Sequence, residues 1–215
     1  MGINKQNHGQ GVDPNFPRLL GERLCLDFVN TIESPRAHPH DFLHSYLDLI
    51  RWGRHVGMLD DAESSHLVRE GARQPDEAVR VFEQALALRL VLTRIFRAIA
   101  HGDTAEESDL QHVQMEYLSG LSAARLTPTA DGYDWGWDAD GLALNWPLWV
   151  VARSAVEVLT TDELARVKEC PGADDCGWLF YDTSKNNSRR WCSMEGCGSR
   201  VKMRRQYARH AGDAC

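Results

Sequence analysis

The chain has 215 residues, 43% of them hydrophobic and 26% charged, with a formal net charge of -7. This composition excludes a disordered or fibrous chain, and the length accommodates one sizeable domain plus a small one. No apolar run approaches the roughly 18 residues of a membrane span, and the start, MGINKQNHGQGVDPNFP, lacks the apolar stretch of a secretory signal, so a cytoplasmic protein is expected. Residues 1–16, polar and rich in Gly and Asn, read as a flexible tail.

Beyond the tail the pattern is mainly helical. Arg23 to Thr31 is a short apolar segment of ambiguous type, interrupted by Asp27 and Asn30. After a Pro/His-rich loop at 34–40, Leu43, Tyr46, Leu47 and Ile50, with Trp52, recur at helical spacing. Asp60-Asp61-Ala62-Glu63 sets acids at the positive end of the next helix. Residues 76–100 follow Pro75 and an acidic first turn, and they predict a central helix burying Val79, Phe82, Leu86, Leu90, Ile95 and Ile99. Thr104-Ala105-Glu106-Glu107 matches a capping box for a helix to about Ala124.

The periodicity then changes to two. Leu126-Thr127, Tyr133-Trp135-Trp137 and Leu142-Leu144-Trp146 alternate, and Asp138-Ala139-Asp140-Gly141 reads as a turn between the last two, which predicts a small antiparallel hairpin. Asn145 is positioned to cap a helix with Pro147 in its first turn and Leu148, Val151, Ala155, Val158 and Leu159 inward. A short helix at 161–168 is expected to lead into a cysteine-rich end.

Charge is divided unevenly along the chain. Residues 1–167 hold 15 Lys and Arg against 25 Asp and Glu, whereas residues 168–210 hold nine against five. An acidic body with a basic appendage points to an anionic partner for the appendage.

Cys170, Cys176, Cys192 and Cys197 are spaced Cys-x5-Cys-x15-Cys-x4-Cys, with Cys25 and Cys215 outside the pattern. Two close pairs about fifteen residues apart match what a tetrahedral four-thiolate zinc site needs, each short loop supplying two ligands. Iron–sulfur ligation and independently buried cysteines are the alternative readings. Some forty residues bury too little apolar surface to fold unaided, so one structural Zn2+ is expected to supply most of the folding energy here. Trp178-Leu179-Phe180-Tyr181 reads as a strand, and Trp178 and Trp191 read as the lid of the site rather than as stacking platforms for bases. The fold class expected is mainly α, with a small antiparallel hairpin or sheet and a separate C-terminal zinc module of treble-clef or ribbon type.

At these residues the chain resembles a known family. Cys176-Gly177-Trp178-Leu179-Phe180-Tyr181-Asp182-Thr183-Ser184, Ser188-Arg189-Arg190-Trp191-Cys192-Ser193-Met194 and Cys197-Gly198-Ser199-Arg200-Val201-Lys202 are similar to the CGNR zinc finger. Leu24-Cys25-Leu26-Asp27-Phe28-Val29-Asn30-Thr31, with Trp52, resembles the start of the ABATE domain that usually precedes that finger. One departure is that Ser199 stands where the family's name places Asn, and Ser also caps helices. The family is regarded as bacterial transcription regulators. The resemblance implies a helical domain at 17–165 that senses a small molecule or stress signal, and a DNA-binding zinc module at 166–215.

Arg200 to His210 reads as one basic helix with only Val201, Met203 and Tyr207 as an apolar stripe. The expected nucleic-acid contacts are Lys185, Arg189, Arg190, Arg200, Lys202, Arg204, Arg205 and Arg209, with the helix in the major groove of duplex DNA. A solvated charged helix is the bland alternative, and a zinc-stabilised protein-interaction module without DNA binding is the alternative function. One weakly basic module favours a homodimer with two DNA contacts.

No GxSxG, Walker, dinucleotide-glycine or HExxH pattern is present, so no enzyme is expected, the nine histidines notwithstanding. Asp27, Asn30 and Trp52 are candidate ligand contacts, though Asp27 and Asn30 equally suit the satisfaction of buried backbone ends. Trp135, Trp137, Trp146 and Trp149 suit an apolar ligand cavity or ordinary hairpin-to-helix packing.

Overall fold

The computed structural model of the protein describes residues 13–33, 40–129, 132–137, 142–172 and 176–212. Residues 1–12, most of the Pro/His loop, the expected turn at 138–141 and Cys215 lie outside them. Residues 13–16, assigned above to the tail, belong to the fold. Phe16 is buried with its ring 5.5 Å from that of His55. His55 Nδ1 accepts from the Asp13 N–H at 3.2 Å, which leaves Nε2 to donate to the Pro17 carbonyl at 3.1 Å.

The ambiguous apolar segment is a helix, α1 (Leu24–Val29), because Cys25, Leu26, Phe28 and Val29 share a buried face. A short antiparallel pair, β1 (Ile32–Glu33) and β2 (His40–Asp41), follows. In α2 (Tyr46–His55) the Ser45 hydroxyl caps the first turn by accepting from Asp48 N–H at 3.2 Å. In α3 (Asp61–Arg73) Asp60 and Glu63 form a reciprocal capping box, both bonds 2.8 Å. Leu47, expected inward, is exposed, and Leu49 takes the buried place on α2.

The long helix α4 (Pro75–His101) packs against α1, α2, α3 and, farther along, α5 (Glu107–Ala123) and α6 (Trp146–Leu159). Its buried stripe is Ala78, Val81, Ala85, Leu88, Leu92, Ile95 and Phe96, whereas Val79 and Leu90 face solvent. Apolar residues occupy more than one face of α4. The capping box at Thr104 is not made: α5 starts at Glu107 without a side-chain cap, where Asp109 in its first turn meets Arg94 of α4 in a two-pronged ion pair at 2.8 and 2.5 Å.

The β hairpin pairs β3 (Arg125–Thr129) with β4 (Gly132–Gly136), Leu126 opposite Trp135. Leu142 and Leu144, expected as the second strand, are buried outside any strand, and the Tyr46 hydroxyl donates to the Leu144 carbonyl at 3.0 Å. The expected helix at 161–168 is a 3-10 turn, Leu164–Arg166, running into β5 (Val167–Glu169), which pairs with β6 (Leu179–Tyr181). A π turn, Met194–Gly198, leads into α7 (Ser199–Gly212). Among the described residues no helix is long and apolar enough to cross a membrane.

A buried ion pair ties the helical core together. Arg89 of α4 donates to Thr31 Oγ1 at 2.8 Å and to both oxygens of Asp41 at 2.8 and 2.5 Å, tying β1 and β2 to α4. Burial opposes ionisation of Asp41, and the Arg89 hydrogen bonds outweigh it, holding the carboxyl below its usual range. Replacing Arg89 with Met should therefore lower the unfolding free energy by about 3 kcal/mol, because a half-buried carboxylate keeps the Leu43 N–H but loses its cation. A urea midpoint unchanged from the wild type would refute this reading.

Candidate metal centre

Cys170 follows β5 directly, and Cys176 lies three residues before β6, so one antiparallel pair carries the first two thiols to the same end. The pairing continues past the strands, with Cys170 N–H donating to the Trp178 carbonyl at 2.8 Å and Gly177 N–H to the Cys170 carbonyl at 3.2 Å. Cys192 and Cys197 flank the start of the π turn, which Ser193 caps by accepting from Gly196 N–H at 3.1 Å. The cap expected at Ser199 is thus one turn earlier. Ser199 is already helical and donates its hydroxyl to the Met194 carbonyl at 3.0 Å.

All four Sγ atoms lie within 4.8 Å of one another, with Cys176 to Cys192 and Cys192 to Cys197 each at 3.7 Å. A zinc–sulfur bond of about 2.3 Å in a tetrahedron implies an edge of about 3.8 Å, so the spacing fits one Zn2+. It leaves no room for a multi-iron core and is far from a disulfide; all four thiols are free. Packing around the site is equally close. A Cβ on Gly172 would lie 2.8 Å from Cys197 Sγ, so only glycine passes there.

Polar support surrounds the sulfurs. Cys170 is held far below the usual thiol range, first by hydrogen bonds from the Cys176 and Cys192 thiols and further by the backbone N–H groups of Cys192 and Gly172. Arg200 Nη2 lies 3.5 Å from Cys197 Sγ, placing a cation against a site that carries net negative charge once four thiolates bind one divalent ion. Phe180, Trp178 and partly buried Trp191 and Leu20 complete a small core around the cysteines, so both tryptophans act as the lid.

The module is bolted to the helical body. Val167, Leu179 and Tyr181 point into the body's core. Asn30 serves as a surrogate strand edge, its Nδ2 donating to the Leu179 carbonyl at 2.8 Å and its Oδ1 accepting from Leu179 N–H at 3.0 Å. Tyr181 N–H donates to the Gly21 carbonyl at 2.9 Å. Arg189 bonds Glu22 at 3.0 Å and the carbonyls of Leu20, Trp191 and Cys192 at 3.2, 3.2 and 2.5 Å, with its guanidinium 4.7 Å from the Phe180 ring centre. Asp182, fully buried, takes Lys168 Nζ at 2.6 Å and the N–H groups of Ser184 and Arg189 at 2.8 Å. Burial opposes its charge, and these donors prevail, keeping the carboxyl well below its usual range.

Two groups of expected contacts are corrected. Arg189 is an internal brace with its donors committed, so it leaves the set of expected nucleic-acid contacts. Asp27, Asn30 and Trp52 line neither of the two cavities found on the body. Trp52 is fully buried 5.1 Å from the Phe28 ring, Asn30 holds β6, and Asp27 Oδ1 accepts from Gly21 N–H at 2.8 Å. The braces escaped sequence reasoning because their partners lie between 149 and 169 residues away.

The remaining basic residues are at the surface. Lys185 and Arg190 are exposed in the loop before Cys192, and Lys202, Arg204 and Arg205 are exposed along α7, whose main contact is the π turn it grows from. The side chain of Arg209 lies outside the described residues. A helical body thus carries a four-thiolate zinc finger with a basic helix projecting from it.

Family comparison agrees with that description. The family model named ABATE, described as "Putative stress-induced transcription regulator", matches residues 22–162, and the CGNR zinc finger matches residues 166–210. The chain belongs to the ABATE family. No curated protein matches the chain.

Two outcomes follow from the site. Chelation, or Cys192→Ser, should abolish binding of one zinc per chain and collapse the near-ultraviolet signal of Trp178 and Trp191, since bound zinc contributes on the order of 10 kcal/mol to such modules; an unchanged spectrum in metal-free protein would contradict the site. Burial, followed by the nearby charge of Glu22, raises the Asp27 carboxyl to about 7 against hydrogen bonds from Gly21 and Leu20. The unfolded chain releases this proton near pH 4 and the folded chain near 7, so stability should fall as pH rises between them. Asp27→Asn should lack that fall, and parallel pH profiles for the two proteins would exclude it.

Proposed function

We propose that this protein is a transcription regulator that binds duplex DNA through α7 and the 185–190 loop, with the helical body sensing a small ligand. The supporting observation is the exposed cationic row Lys202, Arg204 and Arg205, rooted in the zinc site and standing clear of an acidic body. A rigid mount lets arginines meet phosphates and base edges without first ordering a loop. Arg200 divides its charge between Cys197 and any bound phosphate.

Two such modules in a homodimer would supply the affinity that one lacks. The family description supports a regulatory role, and the projecting helix supplies its means.

With around five phosphates neutralised, the logarithm of duplex affinity should fall with log salt at a slope of about -4 to -5. Exchanging both Arg204 and Arg205 for Ala should lessen that slope by about 2 while zinc content stays the same. Salt-independent binding, or none, would leave α7 as a protein-interaction element instead.

A further inference from the structure

The hairpin β3–β4 is amphipathic, and its apolar side is uncovered. Cross-strand register puts Leu126, Pro128, Tyr133 and Trp135 on one face, with Arg125, Thr127 and Thr129 on the other. Leu126, Trp135 and Tyr133 are 57%, 53% and 77% exposed, an unusual cost for a two-stranded hairpin unless something uses that face.

Trp135 leads from this face into a groove of about 160 Å³ whose walls include Tyr117, Leu121, Trp137 and Trp149. The groove is built by close packing. A Cβ on Gly120 would lie 2.7 Å from Trp149 Cβ, so glycine admits Trp149 against α5, and Trp137 Nε1 donates to the Gly120 carbonyl at 2.9 Å. Trp137 stacks on Trp149 with ring centres 6.3 Å apart, and Trp146, expected in the lining, instead supports Trp137 edge-on from 6.0 Å.

Arg153 supplies the cation of the lining and Glu157 its carboxylate. Among the described residues its partner is Glu157, reached through Nε at 3.0 Å, so the Nη donors are uncommitted. Glu157 is well exposed, and a pair of that kind is weak enough for a second carboxylate to share the guanidinium. A planar fork with free donors recognises carboxylates in two-pronged fashion, and aromatic walls recognise a flat ring. The volume is close to the roughly 150 Å³ that holds one benzene ring.

We propose that this groove binds a small aromatic carboxylate of about one ring, the ring among the tryptophans and the carboxylate on Arg153. The assignment rests on the reading of the body as a ligand sensor and names the site and ligand class. It commits to a small molecule because the volume matches one ring and the Nη donors of Arg153 match one carboxylate.

The test is calorimetric titration of full-length, zinc-loaded protein with benzoate, with toluene as the uncharged ring and tryptophan fluorescence as a second readout. Benzoate should bind at one saturable site, toluene at least about tenfold more weakly, and Arg153→Gln should weaken benzoate about tenfold or more. Trp135→Ala, at a half-exposed position, should weaken both ligands while zinc content and helix signal persist. Absence of saturable benzoate binding overturns the proposal, as does equal binding of toluene with no effect of Arg153→Gln. Self-association that Trp135→Ala abolishes and benzoate does not disturb also overturns it, and assigns the face to a second copy of the chain. Benzoate bound through Arg153 with duplex affinity unchanged upholds the site and sinks the sensor reading alone.

Discussion

Four thiols held within 4.8 Å are the constraint on which the C-terminal quarter of the molecule depends. Around them lies only a small core of Trp178, Phe180 and a few partly buried neighbours, too little apolar surface to stabilise a unit of that size. A divalent ion replaces the missing core. It draws the end of one hairpin and the start of a π turn to a common point, and the direction of α7 follows from that point. Arg200 and the backbone N–H groups around Cys170 offset the negative charge that this arrangement concentrates.

The second constraint is how the module meets the helical body. Asn30 completes the edge of β6, Arg189 laces the 20–22 segment to the carbonyls beside Cys192, and Asp182 gathers the loop that contains Arg189. Each uses a buried polar group with its partners satisfied, an arrangement that specifies geometry more than it adds stability. The finger is therefore mounted in one orientation. On the body side, α1 packs against α6, and Ser154 of α6 accepts from the Cys25 N–H at 3.2 Å. Arg153 of the tryptophan groove precedes that serine, so groove and finger share a route of direct contacts through α6 and α1.

Local chemistry was the legible part of this chain. Ligand spacing at 170, 176, 192 and 197 announced the metal because short loops between thiols leave few other uses for them. The helices at 61–73 and 75–101 were visible because caps, a leading proline and a period of 3.6 act within a few residues. Other readings used local signals that two structures share. Alternation at 133–137 is compatible with pairing on either side, and the earlier strand took it. In α4, Val79 and Leu90 are as apolar as the residues that became buried, so nothing local ranks the faces.

The amino-acid order by itself determined the four-thiolate site, the helical character of the body and the concentration of positive charge after Cys197, since each arises from residues close in sequence. Only the tertiary structure decided that Arg189 is a brace rather than a free cation, that Asn30 is a strand surrogate, and that Trp135, Trp137 and Trp149 wall a groove with Arg153 on its lining. Those roles depend on partners brought near by folding, and a buried polar side chain carries no local mark of which distant carbonyl or carboxylate will satisfy it.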